Sequence, residues 1–285
     1  MADHGVTAGS CPGPGNSRIL GIANAIVTAR HPYRFVASRI FRATGICRWM
    51  KIRRDGYQLK FFPSAFSASL WTDKSDVPDD ERFLKGFLRP GQVVVDVGAN
   101  IGTHSIVSAI QVGATGRVYA VEAHPVTARF LRENIRLNEL DLIVKVMNVA
   151  VGETSGEAMF SDQRSDDQNC ILPKSTGGIS VRVAPLDSLI AAGPIDLIKI
   201  DVEGFELMVL RGALATLSRT RAIYFEAWDR HFTRYGYCFA ELWDLLNSQG
   251  FKVVHPQTER SIPRSERIPE CLNLLALRDE RHVTN

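Results

Sequence analysis

"VVVDVGANIGTHS" (Val93–Ser105) decides the fold of this 285-residue chain. An apolar run, a glycine turn and a segment with helical spacing follow one another without a break. That order marks a buried parallel strand handing the chain to its crossover helix. A dinucleotide fingerprint at this place would read G-x-G-x-x-G. Only Gly98 and Gly102 are present, and Asp96 stands at the strand end. A carboxylate there repels a pyrophosphate and attracts a ligand carrying an ammonium group.

Gly98 and Gly102 let the backbone approach a ligand without a Cβ in the way. S-adenosylmethionine, cationic at both its amino group and its sulfonium, suits such a turn. Asp96, Gly98, Ala99, Asn100 and Gly102 are the candidate contacts. The second strand, "VYAVEAHP", ends in Glu122, followed by Ala123 and His124. An acid at that position accepts hydrogen bonds from ribose hydroxyls. NAD enzymes use the same device, so Glu122 discriminates only together with the D-x-G-x-N-x-G turn. The third strand ends "VMNVAVGE", which offers Asn148, Val149 and Ala150 to an adenine. His124 either contacts the adenosine or simply precedes Pro125.

The alternation continues to the C-terminus. Apolar strands are expected at 93–97, 118–122, 144–148, 197–201, 223–226, 251–254 and 272–277, with helices near 103–112, 125–138, 204–217 and 238–249, and "ISVRVAPLDSLI" (Ile179–Ile190) offers a further strand and short helix before the fourth core strand. Upstream, "DVPDDERFLKGFL" reads as a helix with an acidic first turn and "GYQLKFFP" as an edge strand. Alternating strands and helices predict a mostly parallel α/β sheet covered on both faces, with ligands at the carboxyl ends of the strands. The fourth strand runs into "DLIKIDVEGFELMVLRGA" (Asp196–Ala213), which brings Asp201, Glu203 and Glu206 to that rim. Buried charge is costly unless paired. Asp201 is therefore the first candidate for a base or metal ligand and Glu203 the second. Glu206 reads as a first-turn acid facing the helix dipole. Glu226 ends the fifth strand on the same rim. His231 reads as a surface-loop histidine with a base as the alternative, and His104 as a site residue or a partly exposed helix residue. Asp201, Glu203 and Glu226 suit Mg²⁺ as well, although a metal-free base is the preferred reading.

Taken together, "VVVDVGANIGTHS", "VYAVEAHP" and "IDLIKIDVEGFELMVLRGA" resemble the FkbM-type methyltransferases over about residues 90–230. The resemblance does not obviously cover residues 1–60. It implies a Rossmann-like class I fold of seven strands, the last antiparallel. It also implies S-adenosylmethionine-dependent O-methylation of a sugar, polyketide or other secondary metabolite. Asp201, Glu203 and Glu226 are then the candidate catalytic acids. The contacts named above, with Asp201, form the candidate cofactor set.

Composition sets the remaining bounds. With 45% hydrophobic and 23% charged residues the chain reads as one globular α/β domain. Residues 1–17 read as a disordered Gly/Pro/Ser-rich tail, 18–75 as a helical and strand extension, and 76–285 as the methyltransferase domain. Five dispersed cysteines form neither a zinc motif nor a disulfide framework, which points to the cytoplasm. The apolar run Ile19–Ala29 is too short to span a bilayer. Residues 1–62 hold ten Lys/Arg against two acids, while the whole chain carries only +3. That basic part is a solvated face or a contact for an anionic membrane surface. Competing readings are RNA or protein methylation and a non-catalytic cofactor-binding scaffold. The expected partner is a small hydroxylated acceptor rather than nucleic acid, and no feature sets an oligomeric state.

Overall fold

A computed structural model describes residues 31–73, 78–162, 168–172 and 177–278. The expected tail and the apolar run Ile19–Ala29 lie outside the described residues. The chain first forms α1 (Pro32–Thr44), a short 3-10 turn (Ile46–Trp49), the hairpin strands β1 (Lys51–Arg53) and β2 (Gln58–Lys60), α2 (Ala65–Thr72) and α3 (Asp79–Phe87). The alternating region follows as β3 (Val93–Val97), α4 (Thr103–Val112), β4 (Arg117–Glu122), α5 (Pro125–Leu137) and β5 (Val144–Asn148). Next come β6 (Ala150–Val151), β7 (Gly156–Phe160), β8 (Ile179–Ala184) and α6 (Leu186–Leu189). The chain ends with β9 (Leu197–Ile200), α7 (Glu206–Arg211), α8 (Leu214–Leu217), β10 (Ala222–Ala227), α9 (Asp229–Arg234), α10 (Phe239–Ser248), β11 (Phe251–Val254) and β12 (Leu272–Arg278).

Seven strands form the central sheet in the order β11-β12-β10-β9-β3-β4-β5. The β10–β9, β9–β3, β3–β4 and β4–β5 pairs are parallel, and β12 is antiparallel to both its neighbours. Strand order reverses at β3, which pairs with β4 on one side and β9 on the other. That reversal opens a crevice at the carboxyl ends of β3 and β9. Successive side chains of the central strands enter different cores. Val95, Ile198 and Phe225 join one apolar cluster, while Val94, Leu197 and Tyr224 join another.

The N-terminal extension has no separate core. Cys47, Ile52, Leu59 and Phe61 pack in the same cluster as Ile101, Ile106 and Leu131 of the main domain. Asn134 of α5 and Asn138 just after it bind β2 through its Lys60 and Gln58 amides at 2.8 and 2.9 Å. The segment expected as an edge strand is one, as the second arm of the two-stranded β1–β2 hairpin. A further, three-stranded sheet has the order β6-β8-β7; of its strands only β8, within 179–190, was expected.

The helix expected over 204–217 is two short ones. Glu203 and Gly204 have φ of 58° and 102°, so the helix cannot begin before Glu206. A second helical turn restarts after Gly212, where Asp187 accepts from the amides of Ala215 (3.0 Å) and Thr216 (2.7 Å).

Candidate active site

A cavity of about 330 Å³ lies over the carboxyl ends of β3, β4, β9 and β10. The turn after β3 supplies Gly98, Ala99 and Asn100, and the end of β4 supplies Glu122 and Ala123. Val149, Ala150 and Val151 follow β5, while Asp201, Val202 and Glu203 follow β9 and Glu226 ends β10. Phe66 and Leu70 of α2, Asp80 and Glu81 of α3, Phe160 and Ile171 complete the wall. The sequence puts the acceptor pocket in about 33–75, 162–180 and 228–238; the first two reach the cavity through Phe66, Leu70, Asn169 and Ile171, whereas no residue of 228–238 lines it. The polar stretch at 163–167 lies outside the described residues.

The glycine turn is held by hydrogen bonds from its own backbone. Gly98 and Ala99 amides both donate to the Val121 carbonyl at 3.0 Å. The Asn100 amide donates to Glu122 Oε2 at 2.9 Å, and the His124 amide to Glu122 Oε1 at 2.8 Å. Gly98 has φ of 83°, and a Cβ there would overlap the Asp201 carbonyl oxygen. A Cβ on Gly102 would come within 2.6 Å of Leu131. The space these glycines leave is therefore filled by the protein itself, locking the β3 turn onto the β9 turn. Asn148 does not line the cavity; its amide group donates to the carbonyls of Glu122 (2.9 Å) and Ala123 (2.8 Å).

Asp96 lies beneath the cavity, fully buried, and not on its wall. Its Oδ2 accepts from Ser105 Oγ at 2.6 Å, and Oδ1 is 3.9 Å from the Lys199 ammonium. Lys199 stands directly opposite Asp96 across the β3–β9 pair and opposite Tyr224 on β10. It donates to Asp201 Oδ2 at 3.1 Å. Lysine in the apolar run "LIKI" is the cation that answers the acids at this rim, and the sequence reading passed over it. Burial works against the Lys199 charge, but Asp201, Asp96 and Asp80 outweigh it and raise its pKa. Burial likewise opposes the Asp201 charge, but Lys199 outweighs it and holds this carboxyl below its ordinary range.

Glu203 behaves differently. Burial first, and then the facing Glu226, Asp201 and Glu206 carboxylates, push it up to about 8. Burial also raises Glu206 to about 8, although it accepts from the Gly204 amide at 3.1 Å and the Tyr237 hydroxyl at 3.2 Å. Glu206 is off the cavity wall and ties down the turn before α7.

His231 lies in α9 and is buried, not on a surface loop. Its Nδ1 faces Glu226 Oε2 at 3.3 Å and its Nε2 faces Glu203 Oε2 at 3.5 Å. No local pattern in "AWDRHF" signals this, because the contact depends on where β10 ends. Ligand atoms of Glu203, Glu226 and His231 all lie within 4.8 Å of one another. Each imidazole nitrogen is turned to a different carboxylate. That geometry fits a hydrogen-bonded bridge better than one ion shared by all three groups. Asp80 reaches the wall from a helix not read as part of the site, and His104, one of whose two readings was a site residue, lies on the wall beside it. Asp80 accepts from Tyr224 (2.7 Å) and Asn273 (2.8 Å), and His104 Nε2 lies 3.6 Å from it. Burial and then Lys199 lower the His104 pKa, which favours its neutral form.

The strand order, with its reversal at β3 and its antiparallel last strand, is that of a class I methyltransferase. This chain belongs to the methyltransferase FkbM domain family, which it matches over residues 96–253. It is an S-adenosylmethionine-dependent methyltransferase. Hexuronic acid methyltransferase AglP of Haloferax volcanii is 27% identical over 177 residues, covering 60% of this chain and 71% of that protein. The 2-O-methyltransferase NoeI of Sinorhizobium fredii is 29% identical over 181 residues, covering 56% of this chain and 73% of that protein. A solved S-adenosylmethionine-dependent O-methyltransferase of Thermotoga maritima is 15% identical with a TM-score of 0.44, over 71% of this chain and 66% of that one. That last likeness is too distant to bear on the activity.

Proposed function

We propose that this enzyme methylates a hydroxyl of a sugar or a glycosylated small molecule. The observation that carries this reading is the rim on which Asp201, Glu203 and Glu226 converge, beside a wall suited to an adenosine. The names of AglP and NoeI support a sugar as the acceptor class.

The cavity's chemistry fits S-adenosylmethionine. Its volume lies in the range of small-molecule sites. Glu122 would take the ribose hydroxyls, and Val149, Ala150 and Ala123 the adenine. The turn Gly98–Gly102 would follow the methionine part. When bound, the cofactor supplies an electrophilic methyl group on a sulfonium. Asp201, kept ionised by Lys199, offers a fixed negative charge on that side of the cavity. Asp96 acts from below, by holding Lys199 and Ser105 in place.

An alcohol must lose its proton as its oxygen attacks, and a base with a pKa near the working pH does this best. Glu203 meets that condition and Asp201 does not, because Lys199 weakens it as a base. Glu203 therefore receives the hydroxyl proton, and His231 and Glu226 behind it fix the carboxylate's orientation. Holding the acceptor in line with the methyl group supplies much of the remaining rate. Phe66, Leu70 and Ile171 exclude water from that side.

The test is transfer of a radiolabelled methyl group from S-adenosylmethionine to a panel of neutral and acidic glycosides, with bulk RNA and protein in parallel. The expected product is a methyl ether, whose label resists alkali as an ester's does not. Label found only in RNA or protein, or only as an alkali-labile ester, would overturn the assignment.

A further inference from the structure

We propose that the outer face of α1 and the turn after it dock on an anionic lipid bilayer. Tyr33, Val36 and Ile40 recur at spacings of three and four along α1, which sets them on one stripe. Tyr33 is 72% exposed, Ile40 53% and, just beyond the helix, Trp49 90%. The opposite side of α1 is spent on packing, with Phe41 edge-on to Trp71 of α2 at 5.5 Å and Arg34 over the same ring at 4.8 Å.

Charge decides what this stripe fits. Residues 31–54 contain seven Lys/Arg and no acid. Among the described residues Arg39, Arg42, Arg48 and Arg53 have no ion-pair partner. A second cavity, of about 420 Å³, lies between Arg48, Lys60, Phe62, Arg129 and Phe130. Its Phe62 and Phe130 rings stack at 3.9 Å. Lys60 is bound to Glu133 at 3.0 Å, which leaves Arg48 and Arg129 for an outside anion. Phosphate headgroups supply such an anion.

An apolar stripe with exposed tyrosine and tryptophan, flanked by arginines, matches the layered chemistry of a bilayer surface. Aromatic rings settle at the headgroup level, and arginine stems lie on apolar matter while their heads stay wet. An acidic protein would satisfy the arginines but leave the apolar stripe in water. Docking has a consequence for the enzyme. α1 holds α2, and α2 gives Phe66 and Leu70 to the wall of the active cavity. The bilayer surface then lies one helix away from the acceptor side.

The full chain should be centrifuged with phosphatidylcholine vesicles made with and without phosphatidylglycerol. Binding is expected to the anionic vesicles and to fall as salt rises. Each cation near such a surface is worth roughly fivefold in affinity, so Arg39→Gln with Arg42→Gln should weaken binding by roughly 25-fold. Trp49→Ser and Ile40→Ser should weaken it as well. All of these variants should keep the wild-type affinity for S-adenosylhomocysteine and the wild-type circular dichroism. No binding to anionic vesicles, equal binding to pure phosphatidylcholine, or unchanged binding by the variants would overturn the proposal. So would a change of oligomeric mass in Trp49→Ser with vesicle binding intact, which would assign the stripe to a second copy of the chain.

Discussion

Glu203 and Asp201 are two residues apart and carry the same chemistry, yet their environments drive them in opposite directions. Lys199 reaches Asp201 at 3.1 Å, whereas Glu203 faces other carboxylates from a backbone at φ 58°. With Glu203 pushed up to about 8, kcat/KM should rise with pH and level off above that value. A pH profile of Glu203→Gln should lose this inflection along with most of its rate. The glycine at position 98 allows a sharper test. Its φ of 83° and the Asp201 carbonyl both exclude a side chain. Gly98→Ala should cost about 3 kcal/mol of stability in chemical denaturation. It should also weaken cofactor binding, because both turns must shift. The turn motif alone marked Gly98 and Glu122 as cavity residues, although the space it left above Gly98 for a ligand is taken by the Asp201 carbonyl. The roles of Lys199 and His231 were not open to such reading. A lysine within an apolar strand shows its purpose only once β3 and β10 flank it. A histidine bridging two acids requires β9 and β10 to be neighbours.

The turn between β9 and α7 concentrates the buried negative charge. Glu206 organises it by accepting from the Val202 amide at 3.4 Å, the Gly204 amide at 3.1 Å and the Tyr237 hydroxyl at 3.2 Å. Glu206→Ala leaves the Val202 and Gly204 amides without this acceptor, while the Tyr237 hydroxyl keeps the Gly204 carbonyl at 2.8 Å, and should cost about 3 kcal/mol. Glu206 titrates at 4.5 when free and at about 8 in the fold, so the folded protein holds the extra proton between those values. Its contribution to stability is full below the lower value and is lost as pH rises through the upper one. Melting temperature should therefore fall between about pH 4.5 and about pH 8, and Glu206→Gln should lessen that fall. Element boundaries were readable wherever a single period ran unbroken. β3, β5, β11 and α4 lie at their expected residues. The expected helix at 204–217 failed because two consecutive positive φ values and Gly212 interrupt an otherwise helical pattern. β8 and α6 lie within the stretch 179–190 read as a strand and short helix, but β6 and β7 were missed, since short strands in polar sequence have no strong alternation to declare them.

At the scale of the molecule, the order of strands places four carboxyl ends around one cavity, and the extension seals one side of it. The parallel architecture was legible because strands buried on both faces must be continuously apolar. The placement of the extension was not, because nothing local couples Leu59 or Phe61 to α4 and α5. Those contacts make the first hairpin part of the main core. The central claim is that this cavity is the S-adenosylmethionine site, with Glu122 on the ribose. Calorimetric titration of S-adenosylhomocysteine into the wild-type chain and Glu122→Ala tests it most directly. The account predicts one site per wild-type chain and affinity in Glu122→Ala lower by roughly tenfold or more, as loss of hydrogen bonds to a charged group implies. Equal affinity in the two proteins, or no binding to the wild type, would contradict it.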